Sequence, residues 1–228
     1  MTAEHSSLPR ALSLAVHELR TPVTVVAGYL RMLLKEQGGP LSGKQRKMLE
    51  EAERSCGRIG ALVTEMSELG RLESGDLALG RERFDLAALV AGLASHMHDG
   101  LDRGVRLEVR GVDRPLEVVG DRSRLEAALS ALVRASLRER GEPGVIIAEC
   151  SLVGDTQPAA VVAIGDEATV RTLAQLAANG GPFDEWRGGH GLALPVARRV
   201  VEAHGGTVWS APGKGSRAGS ALRIPLEA

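Results

Sequence analysis

Apolar residues recur at Leu12, Ala15, Val16, Leu19, Val23, Val26, Leu30 and Leu33, the three-and-four spacing of one face of an α-helix. Ser6 or Ser7 can cap its start with Pro9 in the first turn, and Gly38-Gly39-Pro40 ends it. Pro22 predicts a kink, because proline lacks an N–H and its ring crowds the carbonyl four residues back. A second stripe, Met48, Ala52, Cys56, Ile59, Leu62 or Val63, Met66, Leu69 and Leu72, predicts a second helix over Ser42 to Ser74. Two long helices and a short turn make an antiparallel hairpin. Its apolar seam has no lid, so pairing with a second copy into a four-helix bundle is expected.

Glycines at 75 and 80 mark a linker, and the period changes beyond them. Asp85 to His98 reads as a helix, Val105 to Val109 and Leu116 to Val119 as short strands, and Arg122 to Arg138 as a helix. Gly144 to Leu152 with Ala159 to Ile164 reads as a hairpin, Gly191 to His204 as a helix, and Thr207 to Ser210 and Ala221 to Pro225 as closing strands. The predicted architecture is α + α/β. A helical hairpin forming a dimeric four-helix bundle, residues 1–77, precedes an α/β sandwich domain, residues 78–228.

Composition narrows the function classes. With 28 basic and 29 acidic residues among 228, no net field favours nucleic acid or an anionic membrane surface. Aromatics are 2% of the chain, which argues against base stacking on an aromatic platform. No run of about 18 apolar residues occurs and Met1 to Pro9 lacks a signal-peptide pattern, so no membrane insertion is expected. Two cysteines, Cys56 and Cys150, support neither a disulfide framework nor a thiolate metal site, and a reducing cytoplasm is the expected compartment. His5, His96, His98 and His190 show no metal-ligand spacing, so no metal site is predicted.

His17 and Thr21 lie four residues apart on one helical face, with Glu18 beside the histidine. An exposed imidazole attacks phosphorus when a neighbouring carboxylate holds the tautomer that leaves Nε2 bare. A lone histidine on a helix is ordinarily just a solvated residue. The run His17-Glu18-Leu19-Arg20-Thr21-Pro22 is more specific, and over residues 10 to 75 the chain resembles the bacterial sensor histidine kinase family. The resemblance implies that His17 is phosphorylated, that Glu18 orients it, and that Thr21 positions water for removing phosphate from a partner.

Residues 82 to 227 resemble that family's ATP-binding domain, shared with gyrases and certain chaperones. Asp121 and Leu125 fit the start of the helix that carries the family's magnesium-binding asparagine, and the register places Ala135 at that asparagine. A methyl group cannot coordinate Mg²⁺. Val162, Ile164 and Asp166 fit the strand leading to the aspartate that accepts from the adenine amino group, yet Ala168 and Val170 stand where the family shows glycines. The stretch from Asp166 to Gly189, which in the family contains a mobile lid, is short. Gly189 and Gly191 match phosphate-loop glycines, while Ala193 replaces the third. His204-Gly205-Gly206 matches the family's helix end.

The expectation is a phosphorelay protein in which His17 carries a phosphoryl group to or from the aspartates of response-regulator receiver domains, working as a homodimer and needing no cofactor. Under an alternative reading the chain is an ATP-dependent autokinase using ATP and Mg²⁺, with Arg138, Asp166, Gly189 and Gly191 as nucleotide contacts. Under a third it is a pseudokinase that regulates a partner kinase by forming mixed dimers.

Overall fold

The computed structural model describes residues 7–75, 78–98, 100–154, 157–177, 181–186, 191–211 and 219–226. The chain divides into two compact units, Met1–Leu77 and Ala78–Ala228.

The first unit is a hairpin of α1 (Ser7–Leu34) and α2 (Gly43–Glu73). Val16, Cys56 and Val63 are buried between them, and the Cys56 thiol donates to the Val23 carbonyl at 3.5 Å. Helix α1 runs through Pro22. It ends with Glu36 in the left-handed region at φ 58°, where Glu36 N–H donates to Leu33 O at 2.9 Å and Gln37 N–H to Met32 O at 3.1 Å. This is the paired closure that usually falls to glycine, and here Arg46 holds the Glu36 carboxylate at 2.6 Å. Helix α2 opens on a reciprocal cap in which Gln45 N–H donates to Ser42 Oγ and Ser42 N–H donates to Gln45 Oε1.

The second unit begins with β1 (Glu82–Asp85), which pairs antiparallel with β3 (Glu117–Gly120) in a two-stranded sheet. A five-stranded mixed sheet is built from β2 (Val105–Arg110), β4 (Gly144–Val153), β5 (Ala159–Gly165), β6 (Thr207–Ser210) and β7 (Ser220–Pro225), in the order β2-β4-β5-β7-β6. Only β2 and β4 run parallel; the remaining pairs of that sheet are antiparallel. The helices are α3 (Leu86–His96), α4 (Arg122–Glu139), α5 (Glu167–Gln175) and α6 (Ala193–Ala203). Helix α4 packs on α3 and α6 and against β4 and β5. Every residue of β5 is buried, so this strand is covered on both faces. Val161 and Ala163 meet Val170, Leu173 and Ala177 of the α5 region with Ile147, Trp209 and Ala221. By alternation Ala160, Val162 and Ile164 point the other way, towards α4.

The predicted hairpin-plus-sandwich architecture is the observed one, with two additions. The stretch after Asp166, read as a short lid segment, winds at once into α5. Glu82–Asp85, for which the pattern predicts no strand and whose Asp85 is expected to open the next helix, is strand β1. Its one strongly apolar residue, Phe84, left no alternation to detect, and the strand owes its pairing to β3.

Candidate functional site: an exposed histidine and a capping aspartate

On α1 the His17 Nδ1 atom lies 3.5 Å from Glu18 Oε1, and the two side chains are 82% and 71% exposed. With Nδ1 carrying the proton and donating to the carboxylate, the Nε2 lone pair is free and open to an incoming phosphorus. Thr21 is exposed one turn on. Because Pro22 has no N–H, the carbonyl of Glu18 has no donor four residues ahead. The structure therefore presents His17, Glu18 and Thr21 together on one solvent-facing stretch of helix.

In the second unit one of the predicted nucleotide residues, Asp166, has a structural task. Asp166 caps α5: its Oδ1 accepts the Thr169 N–H at 2.9 Å, and its Oδ2 lies 4.0 Å from Arg140 Nη1. Hydrogen bonds from the Thr169 hydroxyl and N–H, helped by the Arg140 charge, hold the Asp166 carboxyl below the usual aspartate range although partial burial opposes them. Val170, where the resemblance expects glycine, is 3% exposed in the cluster with Trp209. Ala168 is exposed. Gly219 lies so close to α5 that a side chain there would strike the Thr169 methyl and approach the Ile164 carbonyl.

Ala135 is fully buried on α4. The resemblance puts a magnesium-binding asparagine at this position, and a methyl group would offer a metal no oxygen, so Ala135 does not fit that role. Among the described residues no group of three or more His, Cys, Asp or Glu could hold a metal ion. Arg138 is exposed in the last turn of α4, and its carbonyl accepts from Arg103 Nη1 at 3.1 Å. Gly191 adopts φ 61° just ahead of α6. Gly189 lies outside the described residues.

The predicted helix end is a six-to-one, five-to-two closure. Gly206 N–H donates to Val201 O and Gly205 N–H to Glu202 O, each at 2.9 Å, with Gly205 at φ 71°. Sequence reasoning missed Arg140. It stands at the end of α4, and its guanidinium occupies the space a side chain at Gly144 would need. The glycine at 144 was its only trace in the sequence.

Comparison with known proteins finds one family model in each unit. Residues 10–75 match the His Kinase A (phospho-acceptor) domain, and residues 120–228 match the histidine kinase-, DNA gyrase B- and HSP90-like ATPase family. The chain is 30% identical over 224 residues to the sensor protein GacS of Pseudomonas syringae pv. syringae, covering 92% of this chain and 24% of that protein. To the signal transduction histidine-protein kinase BarA of Escherichia coli K12 it is 27% identical over 212 residues, covering 88% and 23%. The chain thus spans about a quarter of the length of these curated relatives. Among solved structures, full-length ShkA in complex with AMPPNP superposes with a TM-score of 0.67 at 21% identity, over 96% of this chain and 45% of that one. The Acinetobacter baumannii histidine kinase AdeS superposes with a TM-score of 0.57 at 22% identity, over 93% and 98%. These two likenesses establish the shared fold. A phosphoacceptor hairpin carrying an exposed His-Glu pair, followed by an ATPase-type α/β unit, places the chain in the two-component sensor histidine kinase family, to which it belongs.

Proposed function

We propose that the chain is a histidine phosphotransfer protein of a phosphorelay, with residues 1–77 as the dimerisation and phosphotransfer domain and residues 78–228 as a degenerate ATPase domain that serves as scaffold. His17 Nε2 attacks the acyl phosphate of a receiver aspartate. The N–P bond forms as the P–O bond to the carboxylate breaks, and the aspartate leaves as its anion. Reversal on a second receiver passes the group on. Catalysis of this kind is chiefly positioning and charge neutralisation, and the receiver's own acidic residues supply any metal.

The observation that carries the reading is the commitment of Asp166. Its carboxylate caps α5, and the helix it starts buries Val170 and Leu173 against the sheet. Ala135 adds a fully buried methyl where a metal ligand would be required. A homodimer follows from the hairpin surface: Leu19, Val26 and Leu33, seven residues apart, are 42%, 51% and 40% exposed, with Ile59 and Leu62 of α2 also open. A stripe of this kind is the seam of a four-helix bundle. Receiver domains are the proposed partners. The cytoplasm is the proposed compartment, supported by two free buried cysteines, with the Cys150 thiol pushed up to about 12, first by burial. Among the described residues no helix is long and apolar enough to cross a membrane.

The autokinase reading has one structural support, the left-handed Gly191 opening α6, and one by analogy, the AMPPNP bound in the ShkA structure. Incubating the full chain with γ-labelled ATP and Mg²⁺, and separately with receiver domains charged by labelled acetyl phosphate, decides between them. Label on His17 from charged receivers alone is the expected result. Label from ATP that disappears in His17→Ala would establish the autokinase instead.

A further inference from the structure

One line of hydrogen bonds joins the chain entering the α/β unit to two of its helices. Gly80 N–H donates to Asp121 Oδ2 at 3.1 Å. The Asp121 N–H donates to His204 Nε2 at 2.9 Å, and His204 Nδ1–H donates to the Val200 carbonyl at 2.7 Å. Because a backbone N–H can only donate, Nε2 must accept and Nδ1 must carry the proton, so the tautomer is set by the structure.

The fit around the ring is close. A Cβ on Gly120 would lie 2.5 Å from His204 Cδ2 and 2.8 Å from Nε2, so the imidazole rests on bare backbone. The Asp121 side chain, 14% exposed, also accepts from Ser123 Oγ at 2.8 Å and Arg124 N–H at 3.1 Å and lies 3.5 Å from Arg124 Nε. Burial alone would raise the Asp121 carboxyl; the bonds from Gly80, Ser123 and Arg124 outweigh it and hold it below the usual range.

Capping α4 requires only the bond to Arg124, and ending α6 requires only Gly205 and Gly206. The bonds from Gly80 and to His204 are additional to both tasks, and they converge on one residue. We propose that His204 is a positioning residue that clasps the entering chain at Gly80 and β1 to the end of α6 through Asp121. A displacement of that chain is thereby transmitted to both α4 and α6. The far end of α4 carries Ala135 and Arg138, and α6 begins just after Gly191. Helices α4 and α6 also pack on one another, so the joint lies in a contiguous network of the kind through which two positions become energetically coupled.

Coupling is reciprocal, so cutting either joint must be felt beyond the other. Amide hydrogen exchange on the full chain, resolved by residue, provides the test. In His204→Ala, exchange at Gly80 is expected to rise about tenfold, the size of losing one partly buried hydrogen bond, while β4 and β5 keep their rates. In Asp121→Asn the backbone bond to His204 remains but the carboxylate seat for Gly80 is lost. Exchange at the Val200 to Gly206 amides is nonetheless expected to rise several-fold. His204→Gln, whose Oε1 can accept from the Asp121 N–H, should return Gly80 towards the wild-type rate. Unchanged α6 amides in Asp121→Asn would overturn the proposal even if His204→Ala failed to fold. A uniform rise across β4 and β5 in either variant would overturn it too, since it would show global loss of stability rather than coupling. These readouts need no phosphotransfer, so they stand apart from the phosphorelay reading.

Discussion

His17 Nδ1 lies 3.5 Å from Glu18 Oε1, and both side chains stand in solvent rather than in a pocket. An exposed pair cannot draw on a low dielectric to sharpen its chemistry. What the carboxylate contributes is orientation: it favours the proton on Nδ1 and leaves Nε2 as the nucleophile. Replacing Glu18 by glutamine removes the charge and keeps the shape. Transfer of label from a charged receiver to His17 is expected to slow by about tenfold or more, and His17→Ala to abolish it. A Glu18→Gln protein as fast as wild type would remove the carboxylate from the mechanism.

Val26 is 51% exposed midway along the stripe that also carries Leu19 and Leu33. A charge there costs a single chain little, because surface substitutions away from packed contacts usually shift stability by about 0.5 kcal/mol or less. In a bundle seam it would be a buried unpaired charge. Val26→Glu is therefore expected to halve the mass measured by light scattering while leaving the helical circular dichroism of the hairpin in place. A protein that is already monomeric before substitution would refute the bundle.

The hairpin was legible because helical periodicity is a local signal, and residues 12 to 33 and 48 to 72 display it on either side of the Gly38-Gly39-Pro40 turn. The His-Glu-Leu-Arg-Thr-Pro run could be read for the same reason, since its residues are neighbours in the chain. Helix α5 was partly legible. Asp166 with the acidic Glu167 just after it is a helix-start signal, and Val170, Leu173 and Ala177 have helical spacing. That signal was outweighed by the expectation of a glycine loop at this place. The Arg140–Asp166 contact and the Gly80–Asp121–His204 line could not be read. They join residues far apart in sequence, through glycines at 80, 120 and 144 that matter for the side chains they make room for.

The capping role of Asp166 has a pH signature. Its folded-state acidity is held below that of an unfolded aspartate, first by the Thr169 hydroxyl and N–H. The contribution is accordingly complete above the unfolded value, about 4, and is lost as pH falls through the lower folded value. Asp166→Ala is expected to lower unfolding free energy by about 1 kcal/mol at neutral pH. In urea titrations the gap from wild type should stay level from pH 7 to about 5 and narrow below about 4. A gap that widened on acidification would mean that the carboxylate is not the cap.

Ala135 is fully buried beside Leu132 and Ser136, and the Ser136 hydroxyl is itself buried with no hydrogen-bond partner among the described residues. If the α/β unit lacked only its metal ligand, Ala135→Asn would supply one. The surroundings predict a different result. Asparagine adds volume to a packed layer and brings an amide into it, each costing about 1–3 kcal/mol, while Asp166 still caps α5 and Val170 still fills the sheet face. Ala135→Asn should lower the unfolding midpoint and show no Mg²⁺-dependent heat with ATP in calorimetry. Ala135→Leu, similar in size but apolar, separates overpacking from the polar cost and should be the less damaged of the two. Heat with ATP in Ala135→Asn that vanished on chelating Mg²⁺ would show a pocket one side chain away from use, and the α/β unit would then be a silenced ATPase rather than a scaffold.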